Sequence, residues 1–485
     1  MHSSQCWAIG GPMPTDPRGL RSDAPLLDAW LRFQEEGPTP FTIPGHKQRT
    51  DLVGDVVAGD VPLYAGLDTM KLSRGVLAEA ESRAASLWGA DFCRFSTGGS
   101  THANQAVALA VAGDGDEVIV SRTLHRSLLL GLVLAGLTPV WVRPEVDPAT
   151  GLPMGVSPQT VREALVEHPA ARAVFIGDPS YVGTVGDIAG LAEATHEFGV
   201  PLVVDAAWAA HFGFHPDLPR HPLQLGADVM VTSAHKTLPA WSQAALVLAR
   251  TERVDPARLE AGVEATATTS PAGAMLASID AARALLERDG RALLDGAIKA
   301  TRAGRDRLLE IDGLSVLDGP AVDPLKLTLV LSGTGADGNA VEWDLLAAGL
   351  PVESADRDVL VGVVSLADTT ETLTAFGTAL AASIERHRGA PRTTDGPAAY
   401  RVRPVAAVPP RQAFFARSTS VPFNDAVGRV AAELVAPYPP GIPVLAPGER
   451  ITGETLGALR HAREAGVRIA YAADPTLATL RVIQP

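Results

Sequence analysis

Between about residues 77 and 250, short apolar runs alternate with segments whose apolar residues recur at helical spacing. The apolar runs are rich in Val and Ile, as in PLVVDAA and ADVMVTSA, and this is typical of buried parallel strands. Helical periodicity occurs in LAEAESRAASLWGA, where Gly89 is placed to end the helix. This alternation predicts an α/β fold with a large, doubly wound domain whose sheet is mostly parallel.

The pattern changes after about residue 285. A long amphipathic helix is predicted for RALLDGAIKATRAGRDRLLEI, and LKLTLVLSG and VLVGVVSL predict strands of a smaller α+β domain. The Pro/Gly/Thr-rich linker RGAPRTTDGPAA separates this domain from a C-terminal segment. We therefore predict an N-terminal arm, a large domain, a small α+β domain and a C-terminal domain, over residues 1–45, 46–285, 286–390 and 391–485.

The composition excludes several classes of protein. Hydrophobic residues make up 46% of the chain and charged residues 20%, which is typical of a globular protein. The apolar runs are too short to cross a bilayer and the N-terminus lacks a secretory signal, so we expect a cytoplasmic protein with no membrane partner. A formal net charge of −14 argues against a nucleic-acid partner and favours a small cationic ligand only through its field.

The residues that follow the first two strands include candidates for ligand binding, because ligands bind at the carboxyl ends of parallel strands. Ser100 and Thr101 follow two glycines and begin a helix, whose free N–H groups and hydroxyls would bind a phosphate. Such residues also cap helices that bind no ligand. His125 begins the next helix, where a capping or solvated histidine is the alternative interpretation.

Two later strands end in residues whose charge is costly to bury. Asp205 ends VVD, and a buried carboxylate needs a cation such as a protonated pyridine nitrogen. Lys236 lies in VTSAHKTLPA, next to Ser233 and His235. It is either a loop lysine with its ammonium in water or a nucleophile that forms a Schiff base.

Together these residues favour pyridoxal 5'-phosphate over a metal ion. That cofactor needs a phosphate-binding turn, a ring-stacking side chain, a partner for the pyridine nitrogen and a lysine, and the sequence offers all four at predicted strand ends. Lys236 is therefore predicted to be the Schiff-base lysine. The histidines at positions 211, 215 and 221 lack a carboxylate or cysteine at ligand spacing, so we predict no metal site.

Several motifs of the chain resemble those of the bacterial Orn/Lys/Arg decarboxylases, in their shorter form, over nearly the whole length. The matching motifs are FTIPGHK, GGSTHAN, RTLHRS, DPSYVGT, SAHKTLPA and PYPPGIPVLAPGE, of which SAHKTLPA and the last are the most specific. The resemblance implies fold type I of the pyridoxal-phosphate-dependent transferases. It also implies a biosynthetic role, the formation of polyamine precursors.

The resemblance assigns roles to individual residues. Catalytic roles are implied for Lys236, His125, Asp205 and His235, of which either histidine would shield or protonate the reacting carbon. Cofactor contacts are implied for eight residues that lie at or soon after the ends of predicted strands: Ser100, Thr101, His125, Asp205, Ala207, Ser233, His235 and Lys236.

Departures from the family pattern bear on the substrate. DAAWAAH puts Ala206 and Trp208 where the family usually has Glu and His, and Asp178 replaces the usual Asn. We expect decarboxylation of a basic amino acid to its amine, with arginine slightly ahead of lysine and ornithine, because the Trp208 indole can stack on a guanidinium. Further substrate contacts are expected from the remaining polar candidates, His46, Lys47, Asp425 and Glu449. We expect a homodimer or higher homo-oligomer, in which such contacts can cross the subunit interface.

Two alternatives remain open. The first is another enzyme of the same fold, an aminotransferase or a lyase, although the small domain has no visible arginine motif for a substrate carboxylate. The second is a non-catalytic relative that binds the cofactor or a polyamine and acts as a regulatory subunit. The replacements at Ala206 and Trp208 leave this alternative open, although the lysine and aspartate that catalysis requires are both present.

Overall fold

The structure is a computed structural model that describes residues 15–38, 40–61, 67, 75–394, 400, 402–438 and 441–484. Its central sheet has seven strands within these residues: β1 (Phe92–Ser96), β2 (Glu117–Ser121), β3 (Thr138–Val142), β6 (Val174–Gly177), β7 (Leu202–Asp205), β8 (Val229–Ser233) and β9 (Ala245–Ala249). The spatial order is β1-β9-β8-β7-β6-β2-β3, and only β9 is antiparallel to its neighbours. The predicted mostly parallel sheet is confirmed. A small hairpin of β4 (Glu145–Val146) and β5 (Pro153–Gly155) lies outside it.

Helices cover both faces of this sheet, because alternate residues of its strands pack into two different apolar clusters. Leu202 and Val204 of β7 belong to one cluster, and Val203 between them belongs to the other. The helices of this part of the chain are α1 (Pro25–Glu36), α2 (Thr50–Val53), α3 (Val76–Trp88), α4 (Gly99–Val111), α5 (Arg126–Ala135), α6 (Pro158–Glu167), α7 (Ile188–His196), α8 (Ala234–Thr237), α9 (Pro256–Thr266) and α10 (Gly273–Leu308). Gly89 ends α3 with φ 63°, as predicted.

Helix α10 is longer than the sequence pattern predicted, with 36 residues. The predicted boundary between residues 285 and 286 falls inside it, and the division into domains stays a prediction. Beyond α10, an antiparallel sheet contains four strands among the described residues, in the order β10-β11-β13-β12: β10 (Ser315–Val316), β11 (Lys326–Val330), β12 (Ser354–Ala355) and β13 (Val359–Val363). Helices α11 (Gly338–Ala347) and α12 (Thr370–His387) pack together beside it, which gives the small α+β unit that was expected.

The C-terminal part has an apolar cluster of its own. Its elements are α13 (Pro410–Phe415), β14 (Ser418–Pro422), β15 (Ala436–Tyr438), α14 (Gly453–Glu464), β16 (Arg468–Ala470) and β17 (Thr479–Ile483). Two antiparallel pairs, β14 with β17 and β15 with β16, hold these elements together. None of the helices in the described part of the chain is both long and apolar enough to span a membrane.

A buried ion pair joins the C-terminal part to the central sheet. Arg122 follows β2, and its two terminal nitrogens donate to the two carboxylate oxygens of Glu449 at 2.6 and 3.0 Å. Both side chains are almost fully buried. The Arg122 guanidinium also lies 4.7 Å from the centroid of the Trp141 ring, and the Ala446 N–H donates to Glu449 at 2.9 Å. The pair therefore fixes the segment before Glu449 against the strand end that leads to His125.

We predict that Glu449→Ala lowers the free energy of unfolding by about 3–5 kcal/mol, because it leaves the Arg122 guanidinium buried without its counter-ion. The matched control is Glu342→Ala, which breaks a more exposed pair with Arg468 and should cost less than about 1 kcal/mol. Urea unfolding of both variants measures the difference. Equal effects of the two substitutions would contradict the structural importance of the buried pair.

Candidate active site

A cavity of about 400 Å³ opens at the carboxyl ends of the parallel strands, and its size is within the usual range for small-molecule sites. Tyr400 and Ile442 of the C-terminal part complete its wall. All eight residues predicted to bind the cofactor line it, namely Ser100, Thr101, His125, Asp205, Ala207, Ser233, His235 and Lys236, as does Trp208. The structure therefore brings these residues together, whereas their individual roles stay predictions.

The turn between β1 and α4 forms a cradle for an anion. Helix α4 begins at Gly99, so the N–H groups of Ser100 and Thr101 lie in its first turn, where the helix offers them no acceptor. Gly99 adopts φ 69° and donates its N–H to the carbonyl of Gln243 at 2.8 Å, which fixes the turn. The hydroxyls of Ser100 and Ser233 are 2.7 Å apart. Free amides, hydroxyls and the positive end of the helix fit a phosphate group.

Asp205 lies at the end of β7 with its carboxylate held from two sides. The Asn104 amide donates to one oxygen at 2.7 Å, and the Ala207 N–H donates to the other at 3.3 Å. Asn104 also donates to the hydroxyl of Ser127 at 3.0 Å. Sequence analysis missed Asn104, although it lies four residues after Ser100 and therefore on the same face of α4.

His125 is both a helix cap and part of the cavity wall. Its Nδ1 accepts the N–H of Ser127 at 3.2 Å, at the start of α5, and lies 2.8 Å from the Ser127 hydroxyl. Burial lowers the pKa of the imidazole, while the nearby charge of Asp205 raises it. With the net pKa lowered and Nδ1 accepting, the neutral ring carries its hydrogen on Nε2.

The short helix α8 brings Lys236 into the cavity. Burial lowers the pKa of its amine, while the carboxylates of Asp205 and Glu353 raise it. Its amine lies in the cavity, 4.0 Å from the centroid of the Trp208 ring, whereas its role as the Schiff-base lysine stays a prediction. His235 donates from Nδ1 to the carbonyl of Ala244 at 2.9 Å, so its Nε2 can donate to a phosphate only when the ring is protonated. Burial lowers the pKa of this imidazole as well.

The Trp208 ring contacts two lysine amines. The Nζ atoms of Lys236 and Lys326 lie 4.0 and 3.4 Å from its centroid, and the Tyr181 ring meets it edge-on at 5.7 Å. Trp208 lines the cavity as expected, but a substrate guanidinium would have to compete with these amines for the indole. Sequence analysis missed Lys326, because LKLTLV predicts only a buried strand.

Glu353 is a third residue that the sequence did not single out. It precedes β12 in the small α+β unit and accepts a hydrogen bond from the hydroxyl of Tyr181 at 3.2 Å. Its carboxylate is exposed, and its charge raises the pKa of both Lys236 and Lys326. Because Tyr181 lines the cavity, Glu353 supplies a negative charge at the cavity's edge. Neither a motif nor a strand-end position marks it in the sequence.

Asp178 replaces an asparagine of the family pattern without losing the capacity to donate a hydrogen bond. Its side chain is buried, and burial raises its pKa to about 7. The N–H of Gly186 donates to its carboxyl at 2.6 Å. Near neutral pH a large fraction of this carboxyl is protonated, and the protonated form has both a donor and an acceptor, as an asparagine amide has.

The structure corrects the placement of Glu449, whose two carboxylate oxygens bind Arg122 instead of facing a substrate. Asp425 lies in an exposed turn of the C-terminal part, outside the cavity wall. His46 lies 3.3 Å from Asp60, and Lys47 donates to the carbonyl of Thr42, so neither lines the cavity of this chain. Their roles at a subunit interface stay predictions.

Among the described residues, no group of three or more His, Cys, Asp or Glu is arranged to hold a metal ion.

Comparison with known proteins gives the family. Residues 24–323 match the family model described as Orn/Lys/Arg decarboxylase, major domain, and residues 396–468 match its C-terminal domain. Arginine decarboxylase from Halalkalibacterium halodurans is 33% identical, covering 96% of this chain and 98% of the relative, and that from Bacillus anthracis is 32% identical, covering 95% and 97%.

The fold agrees with this relationship. The crystal structure of lysine decarboxylase from Francisella novicida superposes with a TM-score of 0.81 over 95% of this chain and 81% of that one, at 20% identity. This likeness confirms the predicted fold type. The family models and the full-length relatives together identify the chain as a member of the Orn/Lys/Arg decarboxylase family.

Proposed function

We propose that this decarboxylase uses pyridoxal 5'-phosphate to remove the α-carboxylate of arginine, with lysine and ornithine as poorer substrates, and so forms a polyamine precursor. One observation carries the proposal: a partly buried lysine of lowered pKa shares a cavity with an anion cradle and a strand-end carboxylate. The preference for arginine is supported by full-length relatives described as arginine decarboxylases. It no longer rests on Trp208, whose ring already contacts two amines.

The residues of the cavity fit the cofactor by their chemistry. Ser100, Thr101 and Ser233 would bind its phosphate at the start of α4, and Lys236 would bind its aldehyde carbon. Asp205 would hold a proton on its pyridine nitrogen. When bound, pyridoxal phosphate supplies an electron-withdrawing ring that accepts the electron pair of the broken carbon–carboxylate bond.

Protons in the cavity are controlled by this chain's own side chains. The lowered pKa of Lys236 increases the fraction of neutral amine, which is the nucleophilic form. His125 stays neutral and would cover the ring without adding a positive charge. A proton must reach the substrate carbon after carbon dioxide leaves. Nε2–H of His125 and the amine of Lys236 are two donors that line the cavity, and the charge of Asp205 raises the pKa of both.

We infer that Glu353 binds the distal cation of the substrate. A guanidinium at the far end of an extended amino acid needs an acidic partner, and Glu353 lies beside Tyr181 at the edge of the cavity. This role replaces the one expected for Glu449, which is occupied by Arg122. The carboxylate would accept two N–H groups of arginine in the bidentate geometry that an ammonium cannot match.

We further infer that the enzyme is a cytoplasmic homodimer or a higher homo-oligomer. The segment around His46 and Lys47 exposes large apolar side chains, including Phe41 at 99% and Ile43 at 54% exposure. Apolar side chains clustered in a short segment mark a protein contact. A second copy of this chain that covers the segment would also bring His46 and Lys47 towards a cavity.

The alternatives have less support. An aminotransferase, or a lyase of the same fold that does not remove a carboxylate, would not account for the full-length match to decarboxylases. A regulatory subunit would not need the catalytic lysine and aspartate, yet Lys236 and Asp205 both line the cavity.

The proposal predicts carbon dioxide release from arginine, at a higher kcat/KM than from lysine or ornithine, when the purified enzyme is supplied with pyridoxal phosphate. Lys236→Ala should lower kcat/KM on the order of 10³-fold, the scale of losing one catalytic group. The matched control is Lys299→Ala, which removes an exposed lysine paired with Asp295 and should leave activity unchanged. Amine products identified by mass spectrometry would support the reaction, and no release from any of the three amino acids would refute it.

We predict that the double substitution Ser100→Ala and Thr101→Ala weakens cofactor binding by about 10²-fold or more, because charge-assisted hydrogen bonds contribute about 1.5–3 kcal/mol each. Turnover at saturating cofactor should change much less. The matched control removes Ser157 and Thr160, which lie at the start of α6 outside the cavity. Fluorescence titration with pyridoxal phosphate measures the Kd, and equal values for the two double variants would contradict the cradle.

Glu353→Gln should raise the KM for arginine by about 10- to 100-fold with a smaller change in kcat, since one charge-assisted hydrogen bond is lost. Glu371→Gln, at an exposed glutamate in the first turn of α12, is the control of the same chemistry. Steady-state kinetics on arginine, lysine and ornithine would show whether arginine suffers most. An unchanged KM would assign the distal cation to another residue.

A further inference from the structure

Two of the five lysines in the sequence lie on the same aromatic ring. Lys236 reaches Trp208 from α8 of the large domain, and Lys326 reaches it from β11 of the small α+β unit. The proposed reaction assigns a role to Lys236, whereas Lys326 has none. The second amine is closer to the ring, at 3.4 Å from its centroid.

Lys326 is held in place along its whole stem. It is only 2% exposed, and its strand is joined to the loop that carries Tyr181 by a hydrogen bond from Thr328 to the carbonyl of Val182, at 2.8 Å. Gly183 allows this loop to pack on the stem, because a Cβ there would come within 2.7 Å of the Lys326 side chain. The amine therefore cannot move into solvent without separating the loop from the strand.

The amine itself lacks a hydrogen-bond partner among the described residues. An ammonium in such a position is costly, because the ring replaces only part of its hydration. A neutral amine is therefore favoured unless negative charge is close. A buried lysine of this kind changes its protonation state when the nearby charge changes.

Charged groups from several elements lie around Lys326, and Arg305 of α10 donates to its backbone carbonyl at 2.8 Å. Asp323, in the turn before β11, and Glu353, before β12, raise its pKa, while Lys236 lowers it. Asp323 is shared with His211, whose Nε2 lies 3.2 Å from the carboxylate. Burial is the largest effect, and the pKa of Lys326 falls to about 7.

Binding of the proposed cofactor would change this balance in one direction. The phosphate would bring between one and two negative charges into the cavity. Added negative charge opposes the effect of burial, which is the main cause of the lowered pKa of Lys326, so a proton from solvent would move onto its amine. The ammonium then has a stronger contact with the Trp208 ring than the neutral amine had.

We propose that Lys326 is a positioning residue that takes up a proton when the anionic cofactor binds, and whose ammonium then fixes Trp208 in the cavity wall. Both steps rest on the proposed function, because each follows cofactor binding, whereas the location of the amine does not. Below about pH 7 Lys326 carries its proton in both states of the enzyme. Above that pH Lys326 is neutral in the cofactor-free protein. In the protein with cofactor bound it stays charged until the pH exceeds its raised pKa.

The proton uptake is measured by NMR of protein labelled with [¹³Cε]lysine. Five lysines give few signals, and the Lys326→Met spectrum identifies the signal of interest. We expect a titration midpoint of about 7 without cofactor. With pyridoxal phosphate the midpoint should rise by about one unit or more, the scale of a shift caused by a nearby opposite charge. Lys299, which is exposed, should not shift.

The positioning role is measured by kinetics. Lys326→Met should lower kcat/KM for arginine about tenfold, the scale of one lost cation–π contact. Lys326→Arg should restore most of this loss, because it keeps the cation, and should remove the alkaline fall in kcat/KM that the wild type shows when Lys326 loses its proton. Lys299→Met is the matched control. Thermal unfolding of each variant identifies any that fails to fold, and Lys326→Gln then replaces it.

The possible results separate this inference from the proposed function. If pyridoxal phosphate binds, as its absorbance change shows, but the Lys326 midpoint does not rise, the inference is overturned and the proposed function stands. A midpoint above 9 in the free protein, or a Met variant as active as the wild type, would also overturn it. If pyridoxal phosphate does not bind to the wild-type enzyme, both proposals fail.

Discussion

The parallel pairing of β7 with β8 is the constraint on which the candidate site depends. It sets Asp205 opposite Val231, two residues before Ser233, so the aspartate and the lysine that follows Ser233 reach the same edge of the sheet. The chain cannot shift this register, because every residue of both strands is buried and a slip of one residue would exchange the two apolar faces. The anion cradle joins the same edge through the contact between the hydroxyls of Ser100 and Ser233.

The buried charges around this edge are not equally satisfied. Arg122 and Glu449 satisfy one another, and the pair contributes to the attachment of the C-terminal part. Asp205 accepts hydrogen bonds from a side-chain amide and a backbone N–H, and no cation among the described residues donates a hydrogen bond to it. Incomplete satisfaction of buried charge opposes folding and is typical of sites that complete their charge balance with a ligand.

How much of this could be predicted from the sequence depends on the range of the interactions. The mostly parallel sheet, the cradle at Ser100 and the positions of Asp205 and Lys236 were predictable, because each follows from a local pattern and the rule that ligands bind at strand ends. The partner of Glu449 was not, since Arg122 precedes it by 327 residues and no local pattern links them. Asn104 lay within a recognised motif, where helical spacing from Ser100 would have identified it.

Lys326, in the small α+β unit, shows a second reason why part of the site could not be predicted from the sequence. Lys326 is part of a strand whose other residues are also buried, so an apolar pattern predicts the strand but says nothing about a cation within it. Only the approach of that strand to the large domain brings its amine to Trp208, a ring that the sequence had indicated as a surface for substrate. Trp208 of the cavity wall is thus contacted by an amine of the small α+β unit, which itself lies outside the lining of the cavity.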